Sequence, residues 1–364
     1  ISIEIEGESV INLWGGYQDA NRRRAWEEDT LCNTFSVSKA MTSACILKLI
    51  EERKIDLNEK VSFYWPEYGC NGKEDTKIID LLTHRAGMFA FEDNFTITNE
   101  DWTNWNLFVT KLAKQKPFYT PGSAQSYHAL TFGFLVGEVV RRVDGRSLGT
   151  YFKEKIADAY NIDFIFGLNN EDIKRTSDIV MSKIRSPILA KAFFSMPTWL
   201  LPKRIRPVVS LLKESDFQKA FFNTQTEKNS VNSNAWKKAE IPAANGFASA
   251  KGISRFYSVL SDLNDNSFIK RETLEQAIKV HSSGPDTVLL NLPIKFGLGF
   301  MIENPYSPIG QNPDLFGHSG VGGSVGFADK KRGIGFGFIK NYMHPPGKLF
   351  KSANDLTKLF YSIL

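Results

Sequence analysis

Cysteine is scarce in this chain of 364 residues. Cys32, Cys45 and Cys70 are odd in number, and no two share a Cys-x-x-Cys spacing. That argues against a disulfide framework and against paired-cysteine zinc or redox motifs, and leaves reduced or buried thiols as the expectation. Histidine is nearly as sparse. No two of His84, His128, His281, His318 and His344 are spaced as metal ligands on one helix, so no metal is expected. Long apolar runs are missing too: nothing approaches the roughly 18 residues a membrane-spanning helix needs. A strong charge of one sign is also absent, and a net +5 is too mild at this length to argue for nucleic acid. The chain opens on Ile1 without a methionine, which predicts a processed or truncated N-terminus. Asn94-Phe95-Thr96 fits a glycosylation acceptor, with meaning only in a secreted chain.

What is present is enough apolar residue, 42%, to bury a sizeable core in one large domain or two interlocked ones. Ile1 to Glu6 alternates apolar and polar residues and Val10 to Leu13 is β-friendly, which predicts a hairpin. From Ser36 to Glu52, Ala40, Ala44, Leu47 and Leu49-Ile50 suit a helix with one buried face. Further helices are predicted over Ile78 to Thr83 and Thr131 to Val143, the latter closed by Asp144-Gly145. Strands return at Gly297 to Ile302, Gly323 to Ala328 and Ile334 to Asn341, and a last helix is predicted over Lys348 to Leu364. Strands at both ends with helices between give an α/β (α+β type) expectation. An antiparallel sheet would be built from both termini and flanked by helices, with an inserted, mostly helical region. The boundaries that follow are 1–58 with 240–364 for the sheet region and 59–239 for the helical one, together forming one domain.

One stretch stands apart. No acidic residue occurs from Ile179 to Lys213, where Lys183, Arg185, Lys191, Lys203, Arg204 and Arg206 alternate with Trp, Phe and Leu. Such a stretch fits a weak membrane-surface contact or a lid packing on the helical region. Prolines 187, 197, 202 and 207 break any single amphipathic helix and favour the lid.

The chemistry-bearing signal is Ser36-Val37-Ser38-Lys39. A serine and a lysine at i and i+3 share one helix face, and the amine can help remove the serine proton. Alone it is weak: chance gives about two Ser-x-x-Lys matches in such a chain, and Ser210 to Lys213 and Ser267 to Lys270 match as well. Two distant pieces raise its weight. Tyr127-His128-Ala129, after the turn Pro121-Gly122-Ser123, offers a phenol that becomes a base or acid if a cation lowers its pKa. His318-Ser319-Gly320 opens a strand, where the N–H of Val321 would complete an oxyanion hole with that of Ser36. A competing Gly-x-Ser-x-Gly elbow occurs at Gly322-Gly323-Ser324-Val325-Gly326. An elbow needs a strand-to-helix turn followed by an acid and a histidine with room for further elements. Ser324 instead sits in a β-like run, with only Asp329 and His344 after it.

These pieces, with Leu13-Trp14-Gly15-Gly16, Tyr64-Trp65-Pro66-Glu67, Leu81 to Gly87, Asn245-Gly246 and Phe316 to Asn341, resemble the serine β-lactamase and penicillin-binding-protein superfamily. The likeness is to its class C-related branch of esterases, D-aminopeptidases and carboxypeptidases, over about Ile1 to Met343. The resemblance implies Ser36 as acylated nucleophile, Lys39 as its activating partner and Tyr127 as proton carrier. It puts His318-Ser319-Gly320 in place of the usual Lys-Thr-Gly strand, and it implies no metal or organic cofactor. It implies hydrolysis of an ester, amide or small peptide. The alternative is a non-catalytic scaffold that retains these residues in packing. Two departures narrow the activity. Ala129 removes an amide from the second motif, and His318 removes a permanently cationic carboxylate anchor. Both argue against an efficient antibiotic-degrading enzyme.

Overall fold

The computed structural model describes the chain except residues 93–94, 182–196, 204–205, 214, 225, 227–229, 263, 265, 304–308, 310–311, 313 and 346–347. The N-terminal alternation folds as a hairpin of β1 (Ser2–Ile5) and β2 (Glu8–Asn12). The helices used below are α1 (Ser38–Glu51), α2 (Trp105–Lys114), α3 (Thr131–Asp144) and α4 (Ala250–Leu260). They are followed by β3 (Met301–Ile302), β4 (Leu315–Ser319), β5 (Val325–Asp329), β6 (Ile334–Phe338) and α5 (Lys351–Ser362).

One antiparallel sheet runs β2-β1-β6-β5-β4-β3, so strands from both ends of the chain are neighbours. Ser2 pairs with Gly337 and Ile5 with Ile334. The period of two along β6 decides what covers each face. Ile334, Phe336 and Phe338 join Phe327 of β5 and Ala353 and Phe360 of α5 in one apolar cluster. The alternate residues are glycines: a Cβ on Gly335 would lie 2.2 Å from the Ser254 carbonyl oxygen, and one on Gly337 2.3 Å from that of Ala250. Their absence lets α4 lie directly on the strand. The sheet is thus covered by α4 on one face and α5 on the other.

A second, larger apolar cluster gathers around α1, α3, the inner residues of α2 and the inner face of α4. Here α1 departs from the expected single buried face. Every residue from Ser38 to Leu47 is buried, because the helix is enclosed by its neighbours on all sides. The helix Ile78–Leu82 forms as expected, and Gly145 closes α3 with φ +90°. The strand expected over Gly297 to Ile302 shortens to β3, since Gly297 and Phe300 close a turn with Gly299 at φ +79°. Four of the six basic residues of that stretch, Lys183, Arg185, Lys191 and Arg204, lie outside the described residues, and so does Asn94. Of the rest, Arg206 donates to the carbonyls of Trp199 and Leu201. No described helix is long and apolar enough to cross a membrane.

Candidate active site

Ser36 sits on a tight turn that two neighbours force. Thr34 donates through both its N–H and its hydroxyl to the Gly246 carbonyl, each at 2.9 Å. Phe35 then takes φ +50°, a left-handed backbone that a bulky residue adopts only under constraint, with its N–H donating to Asn33 Oδ1 at 3.2 Å. A 3₁₀ turn over Phe35–Val37 leads straight into α1. From the other side comes Gly320, where a Cβ would meet the Thr34 carbonyl oxygen at 2.2 Å. The end of β4 therefore presses against the turn. Phe35 belongs to the larger apolar cluster and Tyr127 to the smaller, so Ser36 lies where the two abut.

Lys39 is fully buried one turn on. Its Nζ lies 3.2 Å from Ser36 Oγ, 2.8 Å from the Ala129 carbonyl oxygen and 3.0 Å from that of Ala243. Burial, with no carboxylate to offset it, holds its pKa well below the ordinary lysine value. The geometry suits the neutral form. An amine has two N–H donors and one lone pair; with two carbonyls accepting the donors, the lone pair is left for the Ser36 hydroxyl proton.

Tyr127 is brought to the same point. Lys39 Nζ stands 4.8 Å from its ring centroid. Burial pushes the phenol pKa up, and a side-chain hydrogen bond with Ser36 opposes the shift only in part. This is opposite to the lowering that a standing phenolate base would need, so Tyr127 is a neutral phenol with a proton to give. Its backbone N–H donates to Asp286 Oδ1 at 3.1 Å.

Two buried histidines lie behind it. His128 Nε2 accepts from the Met88 N–H at 3.2 Å, and its Nδ1 faces the Ser126 carbonyl at 2.6 Å, which fixes the Nδ1–H tautomer. His84 Nδ1 accepts from the His128 N–H at 3.1 Å. Both are held neutral mainly by burial, His128 down to about 3. The His84 ring is packed against Tyr127, Phe132 and Phe296.

At the sheet edge, His318 is fully buried and its Nδ1 faces the Ser319 carbonyl at 2.8 Å. That bond assigns the proton to Nδ1 and leaves Nε2 as a bare acceptor without a partner among the described residues. Burial first, and the Lys39 charge second, push its pKa down to about 3. It is no cation. Among the described residues Ser319 Oγ donates to Met301 Sδ alone, at 3.8 Å. Val321 stands in the turn closed by Gly320 N–H to the Ser324 carbonyl and Gly323 N–H to the Gly320 carbonyl, each at 2.8 Å, and neither bond uses its N–H. Ser36, Lys39 and Tyr127 thus converge, with Gly320 packed on the Ser36 turn.

Two competing serines, Ser324 and Ser267, are hydrogen-bonded to no base among the described residues. Ser324 Oγ is buried without a hydrogen-bond partner among the described residues and precedes a strand, β5, where an elbow needs a helix. His344 packs on Tyr342. Ser267 Oγ accepts the Ile269 N–H at 3.3 Å. Among the described residues no group of three or more His, Cys, Asp or Glu comes together to hold a metal.

Four contributors carry no signal in the sequence. The carbonyls of Ala129 and Ala243 are backbone atoms, and no residue type signals them. Asp286 resembles any loop aspartate until the fold places it under Tyr127. The Phe35 backbone angle has no signal in the residue itself.

Residues 3–357 match the family described as Beta-lactamase, and the chain belongs to it. It is a serine hydrolase of the β-lactamase fold. It is 29% identical over 352 residues, 95% of its length and 77% of the relative's, to the esterase/beta-lactamase LipL of Mycobacterium tuberculosis. Among solved structures it is similar to a family VIII carboxylesterase, at 33% identity and a TM-score of 0.81, covering 97% of this chain and 91% of that one. It is also similar to a penicillin-binding protein homologue from Caulobacter crescentus, at 31% identity and a TM-score of 0.77, with 94% and 85% covered.

Proposed function

We propose that this protein hydrolyses an uncharged ester through an acyl-enzyme on Ser36. The observation that carries the reading is the environment of Lys39, whose two carbonyl partners leave its lone pair to the Ser36 hydroxyl. Ser36 Oγ attacks the ester carbonyl as its proton passes to Lys39 Nζ. The backbone N–H groups of Ser36 and Val321 hold the oxyanion. As the tetrahedral species collapses, the C–O bond to the leaving group breaks and that oxygen takes the Tyr127 proton. The Lys39 ammonium, close to the Tyr127 ring, compensates the transient phenolate and returns the proton to it. Water then attacks the acyl-enzyme, and Lys39 and Tyr127 carry its proton to Ser36.

The substrate class follows from what the site lacks. Lys39 spends its donors inside the protein, and His318 is neutral with its N–H turned to Ser319. Ala129 offers a methyl where an amide would bind a polar side chain. No cation among these residues greets a carboxylate beside the scissile bond, which favours esters over β-lactams and peptide C-termini. Relatives named as esterase and carboxylesterase fit the same reading.

The test is covalent. A fluorophosphonate should add one mass increment on the peptide containing Ser36, and Ser36→Ala should abolish both labelling and turnover of p-nitrophenyl acetate. Label on Ser324, or full turnover by the variant, would overturn the assignment, and no adduct on any serine would favour a scaffold. Between an uncharged diester and its half-acid, the diester should be preferred at least about tenfold, and equal rates would remove the argument from His318.

A further inference from the structure

The phenol of Tyr127 must be held to within a fraction of an ångström of Ser36, yet it stands on irregular chain just before α3. What holds it comes from about 160 residues away in sequence. Gln125 and Asp286 form a parallel bridge. The Thr287 N–H donates to the Gln125 carbonyl at 3.0 Å, and the Thr287 hydroxyl to Ser126 Oγ at 2.9 Å. At the centre is the fully buried Asp286 carboxylate. Its Oδ1 accepts from the N–H groups of Val288 at 3.0 Å, Leu289 at 3.1 Å and Tyr127 at 3.1 Å. Gln125 Nε2 donates to Oδ2 at 3.4 Å and to the Ile294 carbonyl at 3.0 Å.

Two of these bonds cap the turn that follows Asp286, which any local Asx turn would do. The third reaches across to Tyr127 and has no local purpose. None of these partners is a cation. A buried carboxylate without a counter-charge is costly, and burial pushes this one up to about 6. A group kept at such a cost has a use besides capping.

Resting on the reading of Tyr127 as proton carrier, we propose that Asp286 is a positioning residue that fixes Tyr127 against Ser36 and Lys39 by pinning its backbone N–H. The pin depends on where Oδ1 stands and not on the charge. Asp286→Asn keeps an oxygen at that place, Asp286→Glu moves it by about one methylene, and Asp286→Ala removes it. A misplacement of about 1 Å at a reacting group reduces turnover by up to about a hundredfold.

The experiment measures kcat and KM for p-nitrophenyl acetate in these three variants, in Tyr127→Phe and in the double variant Asp286→Ala/Tyr127→Phe. Asp286→Ala should lower kcat at least about tenfold with KM within about twofold, and Asp286→Asn should restore most of it. In the Tyr127→Phe background, Asp286→Ala should add less than about twofold, because the group it positions is gone. An equal loss in both backgrounds, or unchanged kcat in Asp286→Ala, overturns the proposal. Should Asp286→Ala fail to fold, the other pair decides: Asn must exceed Glu in kcat, and Glu at or above Asn refutes the pin. Failure of the underlying reading is distinguishable, since Ser36→Ala and Tyr127→Phe would then leave turnover intact.

Discussion

At the scale of single residues, the site is governed by how burial sets proton affinity. Lys39 is an amine kept without a counter-ion, so the form needed for catalysis is the form the interior favours. On the proposed mechanism, kcat/KM for an uncharged ester rises with pH as Lys39 loses its proton, and levels off well below the ordinary lysine value of 10.5. His318 contributes no limb near neutrality, because its pKa is pushed down to about 3. A pH–rate profile checks both. Lys39→Arg, permanently charged, should lower kcat/KM by about 10²–10⁴ and erase the rise. A rise that persists in that variant would assign the limb to another group. Ser36 and Lys39 were legible as a motif, because their chemistry lies in their side chains. The two carbonyls that aim Lys39 were not, because every residue carries one.

Among secondary-structure elements, close approach matters more than propensity. The alternation Ile334-Gly335-Phe336-Gly337-Phe338 reads as a strand from sequence, but its glycines mean something only once α4 is against them. Gly335→Ala places a methyl against the Ser254 carbonyl and should cost about 1–3 kcal/mol in urea unfolding, with serine-probe labelling retained. Gly320→Ala should behave oppositely. Its methyl meets the Thr34 carbonyl in the turn that carries Ser36, so labelling should slow at least about tenfold while the unfolding midpoint moves less. If labelling by Gly320→Ala matches the unaltered protein, β4 does not brace the turn. The same contrast explains α1. Its sequence suggests one buried face, but the fold encloses it, and Ser38, Thr42 and Ser43 find acceptors or donors inside.

For the whole molecule, buried titratable groups make stability depend on acid. His84, His128 and His318 are neutral in the fold, the last two with pKa about 3 and His84 well below its ordinary 6.5. The unfolded chain takes up their protons below about pH 6.5, and the native state does not. Stability is therefore lost as pH falls from there toward 3. Asp286 works the other way: raised to about 6 from 3.8, it binds its proton first in the native state and adds stability as pH falls through that window. Glu240 and Asp80, also raised, act with Asp286, while Glu138 and Asp144, both lowered, act with the histidines, and the net direction is a loss of stability as pH falls from 6 to 4. Urea midpoints measured at pH 7, 6, 5 and 4.5 should fall steadily. A midpoint constant over that range would overturn this net direction.

The sequence by itself determined the local chemistry: a serine and lysine one turn apart, a phenol before a helix, and a strand opening on His318-Ser319-Gly320. It also determined the alternation that puts both ends of the chain into one sheet, since period and residue type are local properties. Only the tertiary structure decided which protonation states these groups hold. Burial depth, the carbonyls facing Lys39 and the tautomer of His318 arise from segments far apart in the chain. The strained turn at Phe35 and the link from Asp286 to Tyr127 arise the same way. Desolvation and backbone hydrogen bonds act through space, and neither depends on the identity of a neighbouring residue in sequence.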